Sequence, residues 1–215
     1  MVPIGDQRAY WDTTGTTKTF THPVDVGWLQ HAWPGARVLD YGCGYGRITA
    51  ALDHTGCAEV VGVDLSTSLI ERARERRPDL RYEVLTSPPR LPPGLGTFDV
   101  VLLIAVLTCV VDDAAQRALV DETTAALRPG GHLYVSDVLL QEDDRNLGRY
   151  AAGVSDGAAP YGTFVADDGV LCRHHDVEHL RRLFGHLDLV GERRVRVDTM
   201  NGHEVTAVQM LYRRA

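Results

Sequence analysis

Between residues 37 and 140, short and nearly continuous apolar runs alternate with longer stretches in which apolar residues recur every three or four positions. A run apolar on both faces reads as a strand buried inside a parallel sheet, and a periodic stretch as a helix laid across it. Strands are expected at 37–41, 59–63, 81–85, 98–107 and 132–139, with helices at 47–54, 67–77 and 113–127. Pro78 stops the second helix, Asp112 is placed to cap the third, and Pro129-Gly130-Gly131 ends it.

Beyond residue 140 the rhythm changes. Residues 141–153 are polar with a helical spacing, 154–171 are rich in Gly, Ala and Asp, and 176–184 read as a helix closed by Gly185. Residues 187–197 and 203–212 alternate as two strands around Asn201-Gly202, a pair suited to a hairpin turn. The expected architecture is α/β, a Rossmann-like seven-stranded, mostly parallel sheet with an antiparallel C-terminal hairpin and helices on both faces. A single domain is expected over 1–215, with 1–30 as an N-terminal lid and 141–175 as an insertion on the substrate side.

A chain of 215 residues can bury a substantial core without disulfides. Its formal net charge of −7 argues against a nucleic-acid partner, which calls for a basic stripe. The 4 cysteines, Cys43, Cys57, Cys109 and Cys172, are dispersed without a Cys-x-x-Cys pair, which points to reduced thiols and a cytoplasmic setting. Met-Val-Pro-Ile-Gly-Asp at the start lacks the basic and apolar regions of a signal peptide. No apolar run approaches membrane-spanning length, so no membrane partner is expected, and oligomeric state is not legible. Lys18 is the single lysine; arginine supplies every other fixed side-chain cation.

Candidate chemistry concentrates where the first two strands end. Val38-Leu39-Asp40-Tyr41 runs into Gly42-Cys43-Gly44-Tyr45-Gly46, and Val60-Val61-Gly62-Val63 ends in Asp64. Open α/β sheets build nucleoside sites at such strand ends. A dinucleotide fingerprint would put its third glycine where Arg47 stands. A carboxylate at Asp40 would repel a pyrophosphate and attract the ammonium of an amino acid. Asp64 is placed to accept hydrogen bonds from both hydroxyls of a ribose. An amino acid joined to a ribose and adenine is S-adenosylmethionine, and the spacing favours that cofactor over NAD.

At these residues the chain resembles the class I S-adenosylmethionine-dependent methyltransferases. Residues 38–47 are similar to that family's first motif, Asp64 to its ribose-binding acid, and Leu127-Arg128-Pro129-Gly130-Gly131-His132-Leu133 to its turn before the fifth strand. The resemblance covers nearly the whole chain. It implies methyl transfer from S-adenosylmethionine to O, N or S of a small molecule, in secondary metabolism. A noncatalytic S-adenosylmethionine-binding protein and a non-methylating Rossmann-like enzyme are the alternatives. Asp40, Gly42, Cys43, Gly44, Gly46, Asp64 and Leu65 would contact the cofactor, Ile104 and Ala105 would border the methyl donor, and Tyr10 and Lys18 would close over it. The family often carries an acid after the third strand for the adenine amine; here stand Thr86 and Ser87. A Lys-x-Phe-Thr start, an Arg-Asn-Leu-x-Arg-Tyr segment and a Met-Asn-Gly-His hairpin also resemble a group of small bacterial methyltransferases, which implies a shared pocket but no particular acceptor.

Three clusters outside these motifs supply candidates for the acceptor. Tyr10-Trp11-Asp12 and Lys18-Thr19-Phe20-Thr21-His22 precede the first strand. Trp11 and Phe20 are candidate substrate contacts and Lys18 a candidate catalytic or carboxylate-binding cation, against a reading in which the aromatics patch the core. His174 and His175 are candidate general bases, against a capping or surface role. Cys172 beside them does not complete a zinc spacing, and no metal is expected. Arg145, Arg149 and Tyr150 suit an anionic or aromatic substrate, Arg145 and Tyr150 being preferred, against a solvated helix face. Asp137 either faces the pocket or orients a neighbour. Ser87-Pro88-Pro89-Arg90 follows the third strand and ends in arginine, unlike the base-methylating motif, which follows the fourth strand and ends in an aromatic.

Overall fold

The computed structural model describes residues 7–153 and 159–215; the first six residues of the expected lid and 154–158 of the expected insertion lie outside them. The strands are β1 (Arg37–Tyr41), β2 (Glu59–Asp64), β3 (Arg81–Val84), β4 (Phe98–Ile104), β5 (Leu127–Val138), β6 (Thr163–Val165), β7 (Leu171–Arg173), β8 (Asp188–Asp198) and β9 (Glu204–Arg213). The helices are α1 (Arg8–Asp12), α2 (Arg47–Leu52), α3 (Thr67–Arg76), α4 (Asp113–Ala126), α5 (Asp144–Gly153) and α6 (Val177–Leu183). Seven strands form one sheet in the order β3-β2-β1-β4-β5-β9-β8, with β9 antiparallel to both neighbours. The strand order reverses beside β1, where β2 lies on one side and β4 on the other, and crevices for ligands form at such a switch point.

Strand alternation sends successive side chains to opposite faces, and both faces are covered. Leu39, Val61, Val101 and Val135 pack under Leu119 of α4 and Leu180 of α6. Val38, Val60, Val100 and Tyr134 pack under Leu52 of α2 and Leu29 and Trp33 of the segment before β1. A smaller core, Tyr150, Phe164, Ala166 and Val170, joins α5 to the β6–β7 hairpin and touches Tyr10, Trp11 and Met200. Among the described residues, no helix is long and apolar enough to cross a membrane.

Among the differences from the sequence reading, those at β4, β5 and the β6–β7 hairpin shape the site. The fourth strand stops at Ile104 rather than 107, because Ala105 turns into the left-handed region at φ 56° and residues Leu107–Cys109 wind into a 3₁₀ turn. The apolar run continues past the strand only because Leu107 is itself buried. The fifth strand begins at Leu127, its register shifting at a bulge that absorbs Pro129-Gly130-Gly131. Residues 163–173 form the β6–β7 hairpin, where no strand was expected. The capping expectation holds: Asp112 accepts the Ala115 N–H at 2.9 Å. Asp112→Ala is expected to lower stability by about 1 kcal/mol, read as a shift of the urea midpoint.

Candidate functional site

The glycine turn after β1 bends over the end of β2. Gly42 and Gly46 both have φ 76°, and the Gly42 and Cys43 N–H groups donate to the Val63 carbonyl at 2.8 and 3.0 Å. Asp64, buried at 8% exposure, accepts the Gly44 N–H on Oδ2 and the Ser66 N–H on Oδ1, each at 2.8 Å. Burial raises its carboxyl above the usual range, against those backbone bonds. Gly42, Cys43, Asp64, Leu65, Ile104 and Ala105 all line one cavity of about 1390 Å³, its open mouth included.

The other residues of this turn take supporting places. Asp40 does not reach the cavity: its Oδ2 accepts the Thr49 N–H at 3.0 Å and hydroxyl at 2.7 Å, which ties β1 to the first turn of α2. Burial pushes its carboxyl up to about 6 against those bonds. The ammonium contact expected of Asp40 is thus replaced by a positioning role. Gly44 and Gly46 do not line the cavity either. A Cβ on Gly44 would lie 2.1 Å from the Phe20 ring, and one on Gly46 would lie 2.5 Å from the Tyr82 hydroxyl. Arg47, where a third glycine was absent, does line it; a terminal guanidinium nitrogen donates to the His22 carbonyl while Nε is buried without a partner. An anionic group would satisfy that donor.

The segment before β1 forms a roof. Phe20 stacks on Tyr45 with ring centres 4.9 Å apart and donates its N–H to the Tyr45 hydroxyl at 3.1 Å. Trp11 meets Phe20 edge to face at 6.1 Å, and both line the cavity. Tyr10 and Lys18 do not. The Lys18 ammonium sits 2.5 Å from Asp168 in the β6–β7 turn and donates to Asn201 Oδ1 of the β8–β9 turn at 2.7 Å, while the Tyr10 hydroxyl donates to Asp168 at 2.9 Å. These bonds latch the roof to both hairpins and leave Lys18 no free charge for chemistry. Lys18→Met or Asp168→Asn is expected to cut hydrogen-exchange protection over residues 7–22 roughly tenfold, and the double variant to add little, since both remove one latch.

Opposite the glycine turn, the cavity is lined by Arg145, Asn146, Arg149, Phe164, Cys172 and His174. Tyr150 is fully buried outside it; its hydroxyl accepts the Gln141 N–H at 3.1 Å and meets His174 Nδ1 at 2.6 Å. The hydroxyl keeps a second acceptor position beside the Gln141 bond, so the bond to Nδ1 runs either way with the tautomer; donation from the hydroxyl would place the imidazole proton on Nε2. Burial, and to a lesser extent neighbouring His175, pushes His174 down to about 4, so it is neutral at physiological pH. Tyr150 therefore orients His174 instead of touching substrate. His175 points the other way, as alternation along an extended segment requires: its side chain is fully buried, with Nε2 2.8 Å from Gln116 Nε2 and Nδ1 3.6 Å from Asp137. That geometry removes His175 from the catalytic candidates. Asp137 orients neighbours, its Oδ2 accepting the Thr108 N–H at 3.1 Å.

Asn146 and His22 are buried polar cavity residues to which the sequence alone assigns no role. Asn146 is buried with Oδ1 unpartnered, while its Nδ2 donates to Asp143 at 2.7 Å. It lies one turn before Tyr150, a spacing that could have flagged it. His22 places Nε2 2.6 Å from the Ser136 hydroxyl, and burial pushes it down to about 4. Among the described residues, no group of three or more His, Cys, Asp or Glu side chains is arranged to hold a metal ion.

Comparisons with known proteins converge on one family. The family described as methyltransferase domain matches residues 38–131. A ribosomal protein L11 methyltransferase of Ralstonia nicotianae is 34% identical over 160 residues, covering 73% of this chain and 50% of the relative. A ubiquinone biosynthesis O-methyltransferase of Xylella fastidiosa is 34% identical over 137 residues, covering 60% of this chain and 54% of the relative. The chain spans about half the length of these curated relatives. The crystal structure of an S-adenosylmethionine-dependent methyltransferase from Methanosarcina mazei superposes with a TM-score of 0.80 at 19% identity, covering 89% of this chain and 98% of that one.

Proposed function

We propose, from a chain that belongs to the class I S-adenosylmethionine-dependent methyltransferases, that it methylates O, N or S of a small molecule with a planar apolar body and an acidic edge. One observation carries this reading. A single roofed cavity has Gly42, Asp64 and Leu65 at one end and Arg145, Phe164 and His174 at the other. Two reactants can be held there in contact and away from water, which is most of what an in-line displacement asks of a protein.

The residues present fit the cofactor. Asp64 retains acceptor capacity beyond its two backbone bonds and would hold the ribose hydroxyls. The unpartnered Arg47 Nε would meet the methionine carboxylate. Leu65, Ile104 and Ala105 would flank the adenosyl group and methyl donor. When bound, the cofactor supplies a methyl group already activated on a sulfonium sulfur.

At the acceptor end, His174 would donate Nε2–H to the substrate's oxygen or ring nitrogen. Asn146 Oδ1 would accept from the substrate, and the cations of Arg145 and Arg149 would favour its ionised form. Arg149 also lies over the Phe164 ring at 5.0 Å, so that aromatic wall is held flat for a planar body. An acceptor that ionises easily needs no general base. The proposal includes a cytoplasmic setting, which four free cysteines support, and a product of secondary metabolism.

His174→Gln is expected to lower kcat roughly ten- to hundredfold with KM for the cofactor little changed. Because His174 is held down near 4, the wild-type rate should be flat from pH 6 to 8 with no inflection at the ordinary histidine value; an acid limb centred near 6.5 would contradict the assignment.

The deciding experiment follows S-adenosylhomocysteine release with panels of small phenols, carboxylic acids, amines and thiols, and with ribosomal protein L11. Turnover on an acidic aromatic supports the reading. Turnover on the ribosomal protein alone overturns the small-molecule assignment, and cofactor binding without turnover on any acceptor favours a noncatalytic binder.

A further inference from the structure

A second cavity, about 430 Å³ with its open mouth included, adjoins the first and shares Gly42, Asp64, Leu65 and Val106 with it. Its walls are apolar, formed by Leu65, Leu85, Pro88, Val106 and Val110. Arg8 braces two of those walls, one guanidinium nitrogen donating to the Leu65 carbonyl and the other to the Leu85 carbonyl at 2.7 Å. A flat aromatic base leaving a ribose held at Asp64 would enter this slot.

One polar side chain in the slot is left unsatisfied. Gln7 is 8% exposed, and its Nε2 donates to the Cys109 carbonyl at 2.7 Å and to the Leu171 carbonyl at 3.0 Å. Only the NH₂ end of an amide can donate to two carbonyls, so the orientation is fixed and Oε1 must point elsewhere. That oxygen is buried and has no partner among the described residues. An unsatisfied buried acceptor is costly, and a ligand N–H is what would satisfy it. Thr86 and Ser87, the positions where the sequence suggested adenine recognition, are exposed and line neither cavity.

Resting on the donor-site reading above, we infer that Gln7 selects the nucleobase of the cofactor: its Oε1 accepts the exocyclic amine of adenine, which inserts between Leu65 and Val106. The selecting residue therefore comes from the N-terminal roof and not from the end of the third strand. A base with a carbonyl in place of the amine would set two acceptors against each other.

The test is calorimetric titration of the full chain with S-adenosylhomocysteine and with S-inosylhomocysteine, whose hypoxanthine carries that carbonyl. The wild type should bind the adenine compound at least about tenfold more tightly. Gln7→Met should lose about tenfold for the adenine compound, hold the inosine compound within about threefold, and so collapse the ratio. Gln7→Leu serves if the methionine variant unfolds, with near-ultraviolet circular dichroism as the check on folding. Equal wild-type affinities, or a wild-type ratio in a folded Gln7 variant, would overturn the inference while leaving the donor site in place. Failure of both compounds to bind the wild type would overturn the donor site and this inference together.

Discussion

Asp64→Ala is expected to weaken S-adenosylhomocysteine binding at least about a hundredfold, from two lost charge-assisted hydrogen bonds of about 1.5–3 kcal/mol each. Among the described residues, the carboxylate is the one acidic group that lines both cavities. Each of its oxygens already takes a backbone N–H, from Gly44 and from Ser66, which fixes its direction before a ligand arrives. The substitution also strands those two N–H groups and loosens the turn that carries Gly42. Asp64→Asn keeps the shape and one carbonyl acceptor, and its loss should be smaller. Burial raises the Asp64 pKa, so the charged form is lost at a higher pH than for an exposed carboxyl. Wild-type affinity should therefore decline on acidification beginning above pH 3.8, the ordinary value. Calorimetry on folded variants checks both statements, and an Asp64→Ala affinity within threefold of wild type would remove Asp64 from the site.

The second large effect is expected at Gly44. Its φ of 56° lies in the left-handed region, and a Cβ there would stand 2.1 Å from Phe20 Cε2 and 2.8 Å from Cδ2. The ring cannot give way by a small rotation, since it is stacked on Tyr45 and bordered by Trp11. Gly44→Ala must therefore push Phe20 off the turn and lift the roof. About 1–2 kcal/mol of backbone strain and 1–3 kcal/mol of overpacking give an expected loss of roughly 2–5 kcal/mol. Gly130 is the control: its φ is 76°, yet nothing lies within 4 Å of the added Cβ. Gly130→Ala should cost only the backbone share, roughly 1–2 kcal/mol. Equal denaturant midpoints for the two variants would contradict the packing of Phe20 on the turn.

Much of the sheet was legible because strands covered on both faces write themselves as apolar runs, as at Val60-Val61-Gly62-Val63. The same signal overran at the fourth strand, since burial of Leu107 prolonged the run after the backbone had turned at Ala105. The β6–β7 hairpin was invisible for the opposite reason. Thr163, Phe164 and Val165 pair with Leu171, Cys172 and Arg173 across a turn with Gly169 at φ 91°, and so short a pairing sets up no readable alternation.

The places of Asp64 and Leu65 on the cavity wall were legible because they depend on one strand end alone. Roles that depend on distant partners were not. Lys18 reads as a free cation until Asp168, 150 positions away, is seen to neutralise it. Tyr150 reads as a ligand contact until its hydroxyl is found on His174. The paired histidines held one usable clue, because adjacent residues of an extended segment face opposite ways and only one can line a given cavity. Gln7 carried no local signal at all: its amide joins carbonyls of Cys109 and Leu171 that only the folded chain brings together.

An end of the cavity built from Gly42, Asp64 and Leu65 that suits S-adenosylmethionine should reject a dinucleotide. Calorimetric titration of the wild-type chain with S-adenosylhomocysteine and, separately, with NAD tests it most directly. The first should bind one-to-one with a dissociation constant on the order of micromolar, and the second should give no heat. Heat from NAD with none from S-adenosylhomocysteine would contradict it.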